Sequence, residues 1–171
     1  MAYILDSSSL ITPFHQNQLA SLALARGWSL DEARAKLENF LGEGISQGLL
    51  RVAREVHEEV IKGPGASFLK SMRGKYEPLE PDEETHYYAA EVSKFVRDHY
   101  EPQYEDRFAR GADPYLLAYA RQHGFVLVTE ERGHIPGLGQ RIQGPPKLPF
   151  LAFVYKVKCI SPMTLLVEQG W

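Results

Sequence analysis

Carboxylate side chains follow two short apolar segments of this chain, in positions where they could hold a metal ion. Asp6 comes directly after Tyr3-Ile4-Leu5, and a Thr-Glu-Glu run at residues 129–131 follows the apolar run 125–128. Short apolar runs of this kind are typical of strands that are buried on both faces of a parallel sheet. Because the carboxyl ends of parallel strands meet at one edge of the sheet, these acids should lie close together. Oxygen ligands of this type favour Mg²⁺ or Mn²⁺ over zinc.

A helix predicted from Val52 to Lys62 contributes another candidate acid. At about 100° per residue, its three valines fall on one side and define the buried face. Glu59 lies about 70° from the centre of that face, Glu55 about 110° and Glu58 about 170°. Glu59 is therefore predicted to point toward the interior edge, where a buried carboxylate needs a cation, and Glu58 to face solvent. A boundary residue that reaches out to water is the alternative for Glu59, and it is the stronger alternative for Glu55.

Asp113 has two explanations, and the sequence leaves both of them open. Asp113-Pro114 begins a predicted helix that ends at Gly124. Asp is among the best N-cap residues and Pro is favoured at the first helical position, so the dipeptide needs no further role. The other explanation is that Asp113 belongs to the same group of carboxylates as Asp6.

The elements that would position these acids alternate along the chain. This alternation predicts an α/β fold with a mainly parallel sheet, in one domain spanning residues 1–171. A Ser-Leu-Asp-Glu capping box begins one of the helices, and glycines 42 and 44 are predicted to end it. The predicted strands are 3–5, 48–51, 125–128 and 156–160, and the predicted helices are 10–25, 30–41, 52–62, 83–99, 113–123, 148–155 and 162–168.

Composition narrows the class of protein. The chain has 171 residues, a net charge of -3 and 44% hydrophobic residues, which is an ordinary globular composition. A nucleic-acid binder that acts by a global positive field is disfavoured, whereas a metal-assisted enzyme is not. No segment approaches the roughly 20 apolar residues of a membrane span, so we expect a soluble, cytoplasmic protein. Cys159 is the only cysteine and is predicted to be a small core residue.

Taken in order, these segments resemble the PIN-domain ribonucleases, the fold of VapC-type toxins. The resemblance is carried by Tyr-Ile-Leu-Asp-Ser-Ser-Ser-Leu-Ile (3–11), Glu59-Val60 on a helix, Asp113 at the head of a helix, and Gly-Phe-Val-Leu-Val-Thr-Glu-Glu (124–131). The tail from Lys147 to Trp171 looks like the end of an uncharacterised PIN-like subgroup. The resemblance implies a three-layer α/β/α fold.

The resemblance also implies roles for particular residues. Thr129 would be a hydroxyl beside the acids, and Ser8 stands where the family often has Asn. The fourth acid is a glutamate, and Glu130 is an alternative to Glu131 for that position. The implied metal-binding and catalytic quartet is Asp6, Glu59, Asp113 and Glu131.

With this resemblance, the residues predict a metal-dependent endoribonuclease, and the resemblance implies that it is the toxin of a toxin–antitoxin pair. Mg²⁺ or Mn²⁺ would polarise the phosphate and lower the pKa of a bound water. Arg107 and Arg110 are the basic residues predicted to contact RNA phosphates. The expected partners are the RNA substrate and an antitoxin protein that covers the acidic groove, and a homodimer is left open. The alternative is a catalytically inactive PIN-fold scaffold that binds RNA or protein.

Overall fold

The computed structural model of the protein describes residues 1–11, 15–62, 66–133, 136 and 141–171. Strands and helices alternate along these residues, as the sequence pattern predicts. In chain order the elements are β1 (Tyr3–Leu5), α1 (Ser7–Ile11), α2 (Gln16–Arg26), α3 (Leu30–Ser46), β2 (Leu50–Val52), α4 (Arg54–Val60), α5 (Ala66–Ser71), α6 (Glu83–His99), a 3-10 turn (Pro102–Tyr104), α7 (Glu105–Arg110), α8 (Asp113–His123), β3 (Val126–Val128), α9 (Leu148–Val154), β4 (Cys159–Ile160) and α10 (Pro162–Glu168).

The four strands form one all-parallel sheet in the order β2-β1-β3-β4. In the two central strands Tyr3 pairs with Val126 and Leu5 with Val128, so both strands end at the same level. Helices flank this sheet, which confirms the predicted α/β class and is consistent with three layers. The chain order reverses between β1 and β3, and such a reversal opens a crevice beyond the carboxyl ends of the strands. Asp6 and Thr129 follow those two strands.

Local sequence signals account for the helix ends that were predicted correctly. The Ser29 side chain accepts from the Glu32 N–H, and the Glu32 carboxylate accepts from the Ser29 N–H, completing the capping box of α3. At α10, Ser161 accepts from the Thr164 N–H, and Pro162 occupies the first helical position. Helix α8 ends at Gly124, whose φ of 67° lies in the left-handed region.

The prediction that Gly42 and Gly44 end α3 is wrong, because the helix continues to Ser46. Both glycines instead allow close packing. A Cβ atom on Gly44 would lie 2.7 Å from Leu50 Cγ, and one on Gly42 would lie 3.3 Å from Met72 Sδ. Gly44 is therefore required where α3 crosses β2, since Leu50 is buried there.

Gly44→Ala is expected to destabilise the fold by about 1–2 kcal/mol, because the added methyl group overlaps the Leu50 side chain in a close-packed core. Gly42→Ala is the matched control in the same helix. Its methyl group meets a flexible methionine, and the gain in helix propensity of up to about 1 kcal/mol offsets the contact. Urea unfolding of both variants measures the difference, and equal stability of the two would contradict this interpretation of Gly44.

Other predicted boundaries also differ. The helix predicted at 10–25 is described as α1 and α2, and residues 12–14 between them lie outside the described residues. Val52 belongs to β2, not to a helix, and the following Ala53 forms a parallel bridge with Leu79. Strand β4 is shorter than predicted because the preceding residues close α9: the Val157 N–H donates to the Ala152 carbonyl. Helices α5 and α7 were not predicted.

One cluster of buried side chains joins the sheet to its helices. It includes the strand residues Ile4, Leu127 and Val128, none of which is exposed. Val56 and Val60 of α4 are also buried, as the spacing of the valines predicts. Within the described residues, no helix is both long and apolar enough to cross a membrane.

Candidate functional site

Asp6 lies one residue beyond β1 and is buried, with 5% of its surface exposed. Its carboxylate accepts from the Ser9 N–H at 2.7 Å, which is the geometry of an N-cap for α1. It also accepts from the hydroxyls of Ser8, Ser9 and Thr129, at 2.8, 2.6 and 2.5 Å. Burial raises the pKa of Asp6, while these hydrogen bonds oppose that rise. The aspartate is therefore held rigidly by donors that favour its charged form.

The hydroxyl groups around Asp6 connect the ends of the two central strands. Thr129 Oγ1 donates to Asp6 and accepts from the Glu131 N–H at 3.0 Å. Ser8 Oγ donates to Asp6 and accepts from the Glu130 N–H at 3.1 Å. Ser8 therefore orients Asp6 and ties it to the end of β3.

Glu59 is predicted to point toward the interior edge, but its side chain is exposed. The predicted burial is therefore wrong. Its carboxylate nevertheless turns to this edge of the sheet. It accepts from Ser7 Oγ at 2.5 Å and from the Ala112 N–H at 3.3 Å, and so connects α4 to α1 and to the start of α8. Glu58 is exposed as predicted and lies 3.8 Å from Arg54 on the helix surface.

Glu55 is the most buried acid of α4, which the helical wheel did not indicate. Its side chain is 13% exposed, and Arg54 lies 3.3 Å from one carboxylate oxygen. The other oxygen is buried without a hydrogen-bond partner among the described residues. Burial raises the pKa of Glu55. Leaving Val52 out of the buried face, since α4 begins at Arg54, turns Glu55 still further from that face, so the wheel does not account for this burial.

Asp113 is the first residue of α8 and is not its N-cap. The N-cap is Ala112, and no side chain caps the helix. None of the described residues donates a hydrogen bond to the half-buried Asp113 carboxylate. Its pKa is raised to about 7, first by burial and then by the charges of Glu131, Asp6 and Glu59, whereas the charge of Lys147 opposes the rise. The explanation of Asp113 as an N-cap is therefore wrong, because Ala112 occupies the N-cap position.

Glu131, and not Glu130, is the strand-end glutamate that joins Asp113. Glu131 lines the same cleft as Asp113 and also a pocket beside β4, whereas Glu130 lines that pocket but not the cleft. The two oxygens of Glu131 are already occupied by protein donors. Lys147 Nζ lies 3.1 Å from Oε1, and the Leu148 N–H donates to Oε2 at 2.9 Å.

The cleft that these acids share has a volume of about 400 Å³ and opens between α4, α8 and the start of α9. Asp6 lies behind it, and its charge reaches Asp113. Arg107 lines the cleft and is exposed, whereas Arg110 does not line it and pairs with Asp106 at 3.4 Å. The described lining residues are Glu59, Tyr104, Arg107, Phe108, Gly111, Ala112, Asp113, Glu131, Pro145, Pro146 and Lys147.

Sequence reasoning missed Lys147 and two of the three serines that follow Asp6. Lys147 was not predicted because it is 16 residues from Glu131, across a Pro/Gly-rich segment without periodicity. The serines carried a usable signal: three consecutive small hydroxyl residues directly after a strand-end aspartate. Ser7 contacts Glu59, and Ser9 contacts both Asp6 and the Val128 carbonyl.

The carboxylates of the cleft are of the chemical type that binds a hard divalent cation. Among the described residues, however, their oxygens do not converge on a single position where an ion could be held. The charged acceptors of the cleft are all carboxylate oxygens, and no His or Cys is among the described lining residues. Yet across the described ranges no three His, Cys, Asp or Glu side chains are grouped so as to hold a metal ion. The reason is that Glu59, Glu131 and Asp6 are each turned toward protein donors.

Cys159 is half-buried beside this edge of the sheet, consistent with the predicted packing role. Burial, with a smaller effect from the charges of Asp6 and Glu131, raises the pKa of its thiol to about 11. The thiol therefore stays protonated at neutral pH and is a poor nucleophile or metal ligand.

Comparison with known proteins places the chain in a family without assigning it an activity. No curated protein and no solved structure matched it. A protein-family model matches residues 3–171, almost the whole length of the chain. The chain therefore belongs to the family described as a domain of unknown function, DUF4411.

Proposed function

We propose that the protein is an endoribonuclease dependent on Mg²⁺ or Mn²⁺, with its site in the cleft at the carboxyl ends of β1 and β3. The proposal rests mainly on the environment of the Asp113 side chain. This carboxylate lines the cleft with no hydrogen-bond donor among the described residues, and its pKa is raised by burial and then by the charges of three other acids. A divalent cation would relieve that repulsion and supply the missing partner.

Each acid has a distinct part in this proposal. Asp113, Glu59 and Glu131 would contribute oxygen ligands from the walls of the cleft, and Asp6 would contribute from its base. Thr129 and Ser8 would hold Asp6 in orientation through their hydroxyls, as residues behind metal ligands commonly do. When bound, the metal polarises a phosphodiester and lowers the pKa of the attacking water. Arg107 is the exposed cation at the mouth that suits an RNA phosphate.

Cleavage assays with the purified protein test this proposal directly. Mixed structured and unstructured RNAs are incubated with Mg²⁺, Mn²⁺ or EDTA, and Mn²⁺ binding is followed by calorimetry. We expect cleavage with either metal and none with EDTA. If RNA stays intact in every case and no metal binds, the proposed ribonuclease is wrong.

Glu59→Gln is expected to lower cleavage by about 10- to 100-fold, because an amide is a poor ligand for a hard cation. Glu58→Gln is the matched control, since both residues are exposed on the same helix and only Glu59 lines the cleft. The control should retain the activity of the parent protein. Equal losses in both variants, measured as kcat/KM on one RNA, would show that the site does not extend to α4.

The resemblance to VapC-type toxins extends the proposal to the biological setting. The protein would act in the cytoplasm on cellular RNA, and an antitoxin protein would cover the acidic cleft until the toxin is released. Expression of the chain alone should then arrest growth. The Asp113→Asn variant should not, because it retains the surface but not the metal site.

A second candidate function is a PIN-fold scaffold that binds RNA or protein without cleaving it. It is favoured by one observation: the described acids are not grouped closely enough to hold a metal ion as they stand. Calorimetry separates the two candidates, because a scaffold would bind its partner equally well in EDTA and would show no heat on addition of Mn²⁺.

A further inference from the structure

Lys147 places an ammonium group among the carboxylates of the cleft. Its Nζ lies 3.1 Å from Glu131 Oε1, and 35% of its side chain is exposed. The neighbouring Leu148 N–H takes the other carboxylate oxygen at 2.9 Å. Both oxygens of Glu131 therefore have hydrogen-bond donors, one of which is a partly exposed side-chain ammonium and the other a backbone N–H.

The charge of Lys147 affects Asp113 as well as Glu131. Lys147 and Asp113 line the same cleft, and the ammonium opposes the effect of the surrounding acids on Asp113. Three carboxylates line this cleft, and Arg107 is the other cation among its described lining residues. The ammonium thus provides, in the metal-free protein, part of the neutralisation that a divalent cation would provide.

The backbone around Lys147 is held in place, so only its side chain is free to leave. The Lys147 carbonyl accepts from the Leu151 N–H at 3.1 Å in the first turn of α9. Two residues beyond Glu131, a Cβ atom on Gly133 would lie 2.7 Å from Pro149 Cβ, so the two segments are in close contact. An ion that needs Glu131 must therefore displace the ammonium, because the segment itself cannot withdraw without breaking this packing.

We infer that Lys147 neutralises Glu131 in the metal-free cleft, competes with the divalent cation for that carboxylate, and contacts a substrate phosphate once displaced. This inference rests on the proposed function, since it presupposes the metal. It also explains why the oxygens of the described acids do not converge on one metal position, because the Glu131 carboxylate is paired with the Lys147 ammonium. A displaced ammonium stays at the same cleft, and lysine is a common phosphate ligand.

Metal affinity of Lys147→Met tests the competition without any activity measurement. Mn²⁺ titration of the full chain by calorimetry should show affinity roughly fivefold tighter or more than in the parent, because one repelling charge is removed from near the ion. Lys147→Arg, which keeps the charge, should stay close to the parent. Lys158→Met is the matched control: it breaks a similar ion pair, with Glu168 at 3.2 Å, outside the described lining of the cleft. It should leave the affinity unchanged.

A second measurement tests the phosphate contact. At saturating Mn²⁺, Lys147→Met should raise the KM for RNA by about threefold or more, because a charged phosphate contact is lost. The same variant would thus bind metal more tightly and substrate more weakly. A purely structural lysine would produce neither change, and thermal unfolding of each variant verifies that it is folded.

The outcomes separate this inference from the proposed function. If the parent binds Mn²⁺ and Lys147→Met binds it equally or more weakly, the competition is overturned and the metal site stands. If the affinity rises but the KM does not, the phosphate contact is overturned. If neither protein binds Mn²⁺, the proposed function fails and this inference fails with it.

Discussion

Asp113→Asn is expected to remove metal binding and to lower RNA cleavage by on the order of 100-fold or more. No described residue donates a hydrogen bond to this carboxylate. Replacing it by an amide therefore breaks no hydrogen bond among the described residues. Asparagine has nearly the same volume and keeps the start of α8 intact, since Ala112 and not Asp113 is the N-cap. The substitution therefore separates the need for charge from the need for shape.

The same variant should be more stable than the parent when no metal is present, and the effect should depend on pH. Because the pKa of Asp113 is raised from 3.8 to about 7, the folded protein binds more protons than the unfolded chain between these values. The unfolding free energy of the parent should therefore fall as pH rises from about 4 to about 7. Asp113→Asn removes this contribution and should be stabilised by on the order of 1–2 kcal/mol at pH 8.

Asp106→Asn is the matched control for both effects. Asp106 lies on α7, its side chain is 87% exposed, and among the described residues it forms an ion pair with Arg110. Its loss should leave cleavage, metal binding and stability near the parent values. Urea unfolding in EDTA at pH 5 and pH 8, with Mn²⁺ calorimetry on the same samples, measures both effects. Parental cleavage by Asp113→Asn would remove Asp113 from the site and leave the proposal without its main support.

The sequence predicted those parts of the fold and site that depend on short-range signals. An unbroken apolar run marks a strand, so Asp6, Thr129 and Glu131 could be placed at strand ends. Parallel pairing then brings these ends to one edge, as the register of Leu5 with Val128 shows. Capping signals at Ser29 and Ser161 were equally reliable, because their hydrogen bonds form within one helical turn.

The predictions that failed depended on contacts between distant residues. The glycine pattern predicts a helix end at Gly44, whereas this residue permits a close approach of Leu50 that no local pattern indicates. Asp113 fits the N-cap preference as well as any residue, and only the structure shows that Ala112 takes the N-cap position and Asp113 is the first residue of α8. Lys147 meets Glu131 through the packing of α9, which places two loop segments together regardless of their sequence separation.

Glu59 lines the cleft although it is exposed, contrary to its predicted burial. Its side chain is exposed, so burial does not explain why it points to the cleft. It is instead drawn there by the Ser7 hydroxyl and the Ala112 N–H, donors from two other elements. A helical wheel measures the direction of a side chain relative to the core and contains no information on such donors.

Asp6→Asn is expected to lower cleavage by on the order of 100-fold or more while leaving the protein folded. The amide oxygen can still accept from the Ser9 N–H, so the cap on α1 is kept. The amide nitrogen, however, would meet the Thr129 hydroxyl, which at present donates to Asp6 Oδ2. That hydroxyl would have to accept instead, and its own proton would lose its partner. The expected cost to stability is about 1 kcal/mol.

Thr129→Val separates the charge of Asp6 from the hydrogen bonds around it. Valine keeps the shape of the side chain but removes both the donor to Asp6 and the acceptor of the Glu131 N–H. It should therefore cost about 1–3 kcal/mol of stability, more than Asp6→Asn, because a polar group in this partly buried region is left without a partner. Metal binding should weaken but persist, since every carboxylate remains. If Thr129→Val instead abolishes Mn²⁺ binding while Asp6→Asn retains it, the hydroxyl and not the carboxylate is the group that the metal requires at the end of β1.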